Sequence, residues 1–171
     1  MPFEYHNDPD KTRGTQHPDH PTWTSVGDVG YVDDEGYLFL TDRDSFMIIS
    51  GGVNIYPQEI ENAIIEHPKV LDVGVIGMPD PELGEIVTAV VTPAPGVEGD
   101  DELGAELLDY LRDKIARFKI PRRVVFSPDL QRTPTGKLVK HKLKAQLVAH
   151  DLDQSGSTSR SAQDRHRSGA A

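Results

Sequence analysis

The chain has 171 residues, room for one domain of ordinary size with flanking material and enough to bury a real core. Its formal charge of -10 argues against nucleic acid and against simple electrostatic adhesion to anionic lipid, since both need a basic face. With no cysteine, disulfides, thiolate metal sites and cysteine nucleophiles are excluded. No apolar run approaches the roughly 18 residues of a membrane span, and the opening MPFEYHNDPDKTRGTQHPDHPTW has no apolar h-region of a secretory signal. The expectation is a cytoplasmic protein.

Residues 1–22 are polar, proline-bearing and aperiodic, and read as an irregular segment. Asp28-Val29-Gly30-Tyr31-Val32 and Tyr37-Leu38-Phe39-Leu40 flank Asp33-Asp34-Glu35-Gly36, a hairpin signature with glycine where a left-handed turn residue is wanted. Phe46-Met47-Ile48-Ile49 is a short strand that stops at Ser50-Gly51-Gly52. Pro57 suits the first turn of a helix, along which Ile60, Ala63, Ile64 and His67 fall at helical spacing until Pro68. Val70 to Met78 and Ile86 to Thr92 are rich in β-branched residues and read as strands separated by residues 79–84. Asp100 or Asp101 caps a second helix with the stripe Leu103, Leu107, Tyr110, Leu111 and Ile115. Arg123 to Phe126 is another strand, Gln131 to Gly136 a polar loop, and 138–149 a basic amphipathic helix carrying Leu143 and Leu147. Asp151 to Ala171 has almost no large apolar residue and is expected to be disordered. The alternation gives a small α+β domain over about residues 44–149.

Three stretches have residues suited to chemistry. Around Gly27-Asp28-Val29-Gly30 and Asp42-Arg43, the plain reading is a turn aspartate and a surface charge. Ser50-Gly51-Gly52-Val53-Asn54 is ordinarily a tight turn, although paired glycines also let a ligand pass close to the backbone. Pro134-Thr135-Gly136-Lys137 is not a P-loop, because Gln131 stands where that motif requires glycine. A lysine on such a loop is still a good cation for a phosphate or carboxylate. His17 and His20 flank Pro18-Asp19 with no further ligand pattern, so no metal site is expected.

Taken in order, GDVGYVDDEGYLFLTDRDSFMIISGGVNIYPQEIE and QRTPTGKLVKHKL resemble the motifs near the C-terminus of the adenylate-forming superfamily, over roughly residues 24–148. ISGGVNIYPQEIE looks more like acyl-CoA ligases than peptide-synthetase domains. The opening PFEYHNDPDKT looks like the stretch that precedes the aspartate motif in fatty-acid ligases. The resemblance implies that residues 1–43 are the tail end of a large N-terminal AMP-binding domain. It implies that 44–149 form the C-terminal lid, a short sheet flanked by helices, with 150–171 a disordered tail.

The implied chemistry has two halves: ATP and a carboxylate, a fatty acid by this resemblance, give an acyl-adenylate, and CoA then displaces AMP. By matching position Asp28 accepts from the ribose hydroxyls with Arg43 assisting, an ionised carboxylate being an acceptor for two adjacent donors. Lys137 would be the catalytic lysine of the first half, bridging the acyl carboxylate and the α-phosphate. Ser45 matches the hinge, where the family usually has Asp or Lys; Gly51 and Gly52 would line the CoA pantetheine channel after the lid swings. Arg117, Lys119, Arg122 and Arg123 are candidates for the CoA phosphates.

The family's Ser/Thr/Gly-rich phosphate loop, and its segment for AMP and Mg2+, match nothing in this sequence. Both belong to the N-terminal body, so the chain is expected to be inactive unless that domain is supplied, in trans if need be. The alternative is a non-catalytic interaction module that binds CoA or a ligase.

Overall fold

The computed structural model describes residues 4–20, 22–43 and 46–152, and it divides the chain into two units, Met1–Met47 and Ile48–Ala171. In the first unit a helix, α1 (Pro9–Thr15), stands where the sequence reads as irregular. Asp8 caps it, its carboxylate accepting from the Lys11 N–H at 3.0 Å, and Pro9 occupies the first turn. The cap and proline were legible; a short helix with Thr12 as its buried residue shows no apolar stripe. The expected hairpin is present as β1 (Asp28–Val32) and β2 (Leu38–Arg43), antiparallel. Gly36 turns it at φ +89°, while the Asp33 carboxylate accepts from the Glu35 and Tyr37 amides at 3.0 and 2.9 Å.

The second unit is built on a five-stranded sheet. β3 (Ile48–Ser50) and β4 (Val53–Ile55) form a hairpin that the sequence had offered only as one strand and a turn. A helix, α2 (Pro57–Ile65), follows, started by proline and ended before His67-Pro68. β5 (Val70–Asp80) and β6 (Gly84–Pro93) pair antiparallel, each running into the proline-containing stretch expected to separate them. α3 (Asp101–Leu111) is capped by Asp100, whose carboxylate accepts from the Leu103 N–H at 2.9 Å. It ends four residues short of Ile115, which still packs on the core. A 3-10 turn over Arg117–Lys119 leads to β7 (Arg123–Phe126), parallel to β6. A last helix, α4, covers 140–152; the rest of the expected tail lies outside the described residues, as does Ser45. The strand order is β4-β3-β6-β5, with β7 also on β6.

Both faces of β5 and β6 are covered, which explains their near-continuous apolar runs. Val73, Val75, Val87, Ala89 and Val91 face one core, shared with Ile60 and Ile64 of α2 and Leu103, Leu107 and Leu111 of α3. Ile76, Met78 and Val90 face the other, under Leu143 and Leu147 of α4. Ile60, Ile64, Leu107 and Leu111 are at most 1% exposed, and burial of each contributes about 1.5–3 kcal/mol before entropy is counted. The layers are joined at one edge. Glu61 of α2 meets Lys140 of α4 at 2.7 Å, both buried, and the same carboxylate oxygen accepts from the Val75 N–H at 2.7 Å.

Candidate functional site

In the first unit, β-sheet register sets Asp28 directly opposite Arg43. The Arg43 Nε–H donates to the Asp28 carboxylate at 3.0 Å, with the arginine half exposed. The two expected nucleotide-binding residues therefore form one pair, with free acceptor capacity left on the aspartate.

In the second unit, Gly51 and Gly52 are the two residues joining β3 to β4, at φ +57° and +80°. Two successive left-handed residues are the requirement of a type I′ hairpin turn, and glycine meets it without strain. A Cβ on Gly52 would meet nothing within 4 Å, whereas one on Gly51 would reach the Leu83 side chain at 3.2 Å. The turn is held from outside: the Gly51 N–H donates to the Leu83 carbonyl at 2.9 Å, and Ser50 pairs with Gly84. The Glu85 carboxylate accepts from the Ile49 N–H at 3.2 Å and is itself paired with Lys144 at 2.6 Å.

Beside this turn lies a cavity of about 360 Å³ lined by Ser50, Leu83, Phe118, Arg112, Arg117 and Arg122 among others. It divides the four basic residues singled out from sequence. Arg117 and Arg122 face the cavity, joined by Arg112, which is itself paired with Asp109 at 3.1 Å and which sequence reading missed because it sits just past a helix end among acidic residues. Lys119 is instead bound to Glu59 at 2.5 Å, and Arg123 grips Asp151 through two bonds of 2.6 and 2.8 Å. Those bonds lift the Arg123 pKa and hold the Asp151 carboxyl below its ordinary value.

Lys137 is exposed on a small hairpin over 131–139, closed by the bridge Arg132–Leu138. Pro134 takes the second turn position, the Gly136 N–H donates to the Thr133 carbonyl at 2.8 Å, and Gly136 is left-handed at φ +83°. The hairpin leans on β5, Leu138 covering the backbone at Gly74, so that a Cβ there would come within 2.5 Å of it.

The lysine hairpin and the glycine turn are thus fastened to opposite ends of β5. One is tied to Asp72 through Arg132 at 2.5 and 2.9 Å, the other to Leu83 and Gly84 just past Asp80. Eight residue steps of extended strand separate Asp72 from Asp80, roughly 26 Å. Among the described residues no group of three His, Asp or Glu side chains could hold a metal ion, and no helix is long and apolar enough to cross a membrane.

Residues 59–137 match the family described as AMP-binding enzyme C-terminal domain. The long-chain-fatty-acid–CoA ligase FadD13 of Mycobacterium tuberculosis is 42% identical over 85% of this chain and 28% of its own length. The 2-succinylbenzoate–CoA ligase of Bacillus cereus is 39% identical over 84% of the chain and 28% of its own length. Among solved structures, an ATP-bound RpMatB–BxBclM chimera superposes with TM-score 0.75 at 35% identity, covering 82% of this chain and 27% of that one. A fatty acyl CoA synthetase of Mycobacterium tuberculosis superposes with TM-score 0.63 at 42% identity, covering 86% and 28%. The chain thus spans little more than a quarter of the relatives it matches. Motif order, fold and these likenesses agree: the chain belongs to the family of AMP-binding enzyme C-terminal domains, within the adenylate-forming superfamily.

Proposed function

We propose that this chain supplies the moving part of an acyl-CoA synthetase that activates a carboxylic acid, a fatty acid in the first instance, with ATP and passes the acyl group to CoA. The observation that carries this reading is the placement of the Lys137 hairpin and the Gly51-Gly52 turn at opposite ends of one strand pair. A unit of this shape presents one loop or the other to a fixed adenylate as it turns. The Lys137 ammonium would neutralise charge gathering between the acyl carboxylate and the α-phosphate. The glycine turn would then admit the pantetheine arm, with Arg112, Arg117 and Arg122 beside it to receive the phosphate end of CoA.

Residues 1–43 are read as the last piece of the N-terminal AMP-binding domain, 44–149 as the body of the lid and 150–171 as its tail, whose first three residues continue α4 and are tied to β7 through Asp151. In the first unit Val32, Leu38 and Leu40 share one face of the hairpin and are each more than half exposed, an apolar surface suited to the rest of such a domain. Asp28 would accept the ribose hydroxyls, and Arg43 would assist by holding it in place. Ser45 would be the hinge. Mg2+ would be held by the N-terminal domain, and the whole would work in the cytoplasm.

The test uses the purified chain alone, and the same chain joined to the N-terminal part of FadD13, each given ATP, fatty acid and CoA. The expected result is no AMP from the chain alone and acyl-CoA from the joined protein, with adenylation crippled by Lys137→Ala. AMP formation by the lone chain overturns its dependence on an N-terminal domain. Undiminished adenylation in the Lys137→Ala protein overturns the role of the lysine and favours an interaction module.

A further inference from the structure

The side chain immediately before the lysine hairpin's turn is engaged in an arrangement that the proposed chemistry leaves unexplained. Arg132 spends all three faces of its guanidinium on two partners: Nε and Nη2 donate to the two oxygens of Asp72 at 2.9 and 2.5 Å, and Nη1 donates to the Gly136 carbonyl at 2.8 Å. That carbonyl belongs to the peptide unit joining Gly136 to Lys137. The N–H of the same peptide unit donates to the Thr133 hydroxyl at 3.1 Å, and the Thr133 hydroxyl is within 2.9 Å of that of Thr135. The peptide plane from which Lys137 departs is therefore gripped at both its oxygen and its hydrogen, on a turn whose tip is otherwise exposed.

We infer that Arg132, set by Asp72, is the positioning residue that fixes the direction of the Lys137 side chain; this rests on the reading of Lys137 given above. Asp72 is a sound base for such a clamp, since it lies in β5 and its oxygen also receives the Val73 N–H at 2.8 Å. Only a guanidinium fits the task. Two parallel donors meet a carboxylate edge while a third, held rigidly coplanar, points to a carbonyl. A lysine ammonium at 132 keeps the charge but has no such fork. Downstream the chain is secured again by Leu138 over Gly74 and by the buried pair Lys140–Glu61; inside the turn the Thr133 N–H also donates to the Lys137 carbonyl at 2.8 Å, and Arg132 is the side chain that ties this stretch to β5.

The experiment has two arms. In the chain joined to the FadD13 N-terminal part, Arg132→Gln and Arg132→Lys are assayed separately for adenylation, by pyrophosphate exchange, and for thioester formation from preformed acyl-adenylate. A misplacement near 1 Å costs on the order of 100-fold, so kcat for adenylation should fall about 10- to 100-fold with KM for ATP and acid little changed. Thioester formation should be unaffected. Asp72→Asn should lower adenylation less, and adding it to Arg132→Gln should bring little further loss, because the two act as one unit. In the 171-residue chain itself, amide exchange at Thr133, Gly136 and Lys137 should quicken in Arg132→Gln and stay unchanged at Val75 and Val90. Normal adenylation in Arg132→Gln, full restoration by Arg132→Lys, or an equal fall in both half-reactions would overturn the assignment. If Lys137→Ala itself adenylates normally, the parent reading fails, and the exchange arm alone then decides whether Arg132 holds the loop.

Discussion

The Glu61–Lys140 pair allows a stability prediction that does not depend on any activity. Both side chains are 9% exposed, and their charges meet at 2.7 Å where α2, β5 and α4 come together. Lys140→Met removes one charge and leaves the Glu61 carboxylate in the same buried place, with the Val75 N–H still bonded to it. Removing one partner of a buried pair costs about 3–5 kcal/mol, because the remaining charge has lost its compensation. A domain of this size has about 5–15 kcal/mol in all. At about 4 °C per kcal/mol the midpoint should fall by about 12–20 °C. Far-UV circular dichroism against temperature and against urea reads the effect, and an unchanged urea slope would mean that the unfolded state is not involved.

The double variant Glu61→Gln/Lys140→Met sharpens the argument. The glutamine amide oxygen still accepts from Val75, while no charge remains to be buried. It should therefore be more stable than Lys140→Met alone, a coupling of about 1–3 kcal/mol. A Lys140→Met loss below about 1 kcal/mol, the range of exposed pairs, would refute the claim that this contact is a buried one.

Three further outcomes follow from single residues. Asp100→Ala should cost about 0.5–2 kcal/mol in a denaturation experiment through loss of the α3 cap, and Asp100→Asn much less. Gly52→Ala should cost about 1–2 kcal/mol although the Cβ has open space, because the strain is in the backbone; Gly52→Asn, more tolerant of that conformation, should cost less. Asp151 is held below its ordinary pKa chiefly by the bond from Arg123. Its contribution is thus complete above the ordinary aspartate range and vanishes as pH falls through the lowered value. Melting points of Asp151→Asn and the unchanged chain, taken from pH 7 downward, should differ at neutral pH and converge only in strong acid.

The sequence was most legible where a local rule had a physical cause acting on few residues. Gly36 and the Asp33 carboxylate specify their turn, Pro57 and Pro68 bracket α2, and Asp100 caps α3, and each does what its chemistry demands. The misses share another cause. α1 has no apolar stripe, so its Asp8-Pro9 start carried the only signal. β4 is three residues long and owes its existence to pairing with β3. Pro79 and Asp80 look like a break but stay in β5, held by a ladder that continues to Gly84. At the candidate site, order and spacing pointed to Lys137 and the glycines. That Arg132 reaches Asp72, sixty residues away, has no trace in local pattern. Nor could spacing tell Arg117 and Arg122, which face a cavity, from Lys119 and Arg123, which are spent on carboxylates.

The anchoring of the two loops bears on how the proposed reaction must be run. Neither loop hangs free: one is tied to the start of β5, the other to the turn between β5 and β6, and the strand pair between them is hydrogen-bonded along its length and buried on both faces. Bringing the glycine turn to the place of Lys137 by bending would break that ladder. Each buried polar group left unpaired would cost about 1–3 kcal/mol, and the packed cores would resist besides. Rotation of the whole unit about a connecting residue breaks none of these bonds. If the chain takes part in both half-reactions, the unit must therefore turn as one body. A disulfide engineered to tie the unit to the joined N-terminal part of FadD13 in a given orientation should preserve one half-reaction and abolish the other. Retention of both under such a tie would mean that the loops move within the unit, against everything that holds them to β5 and β6.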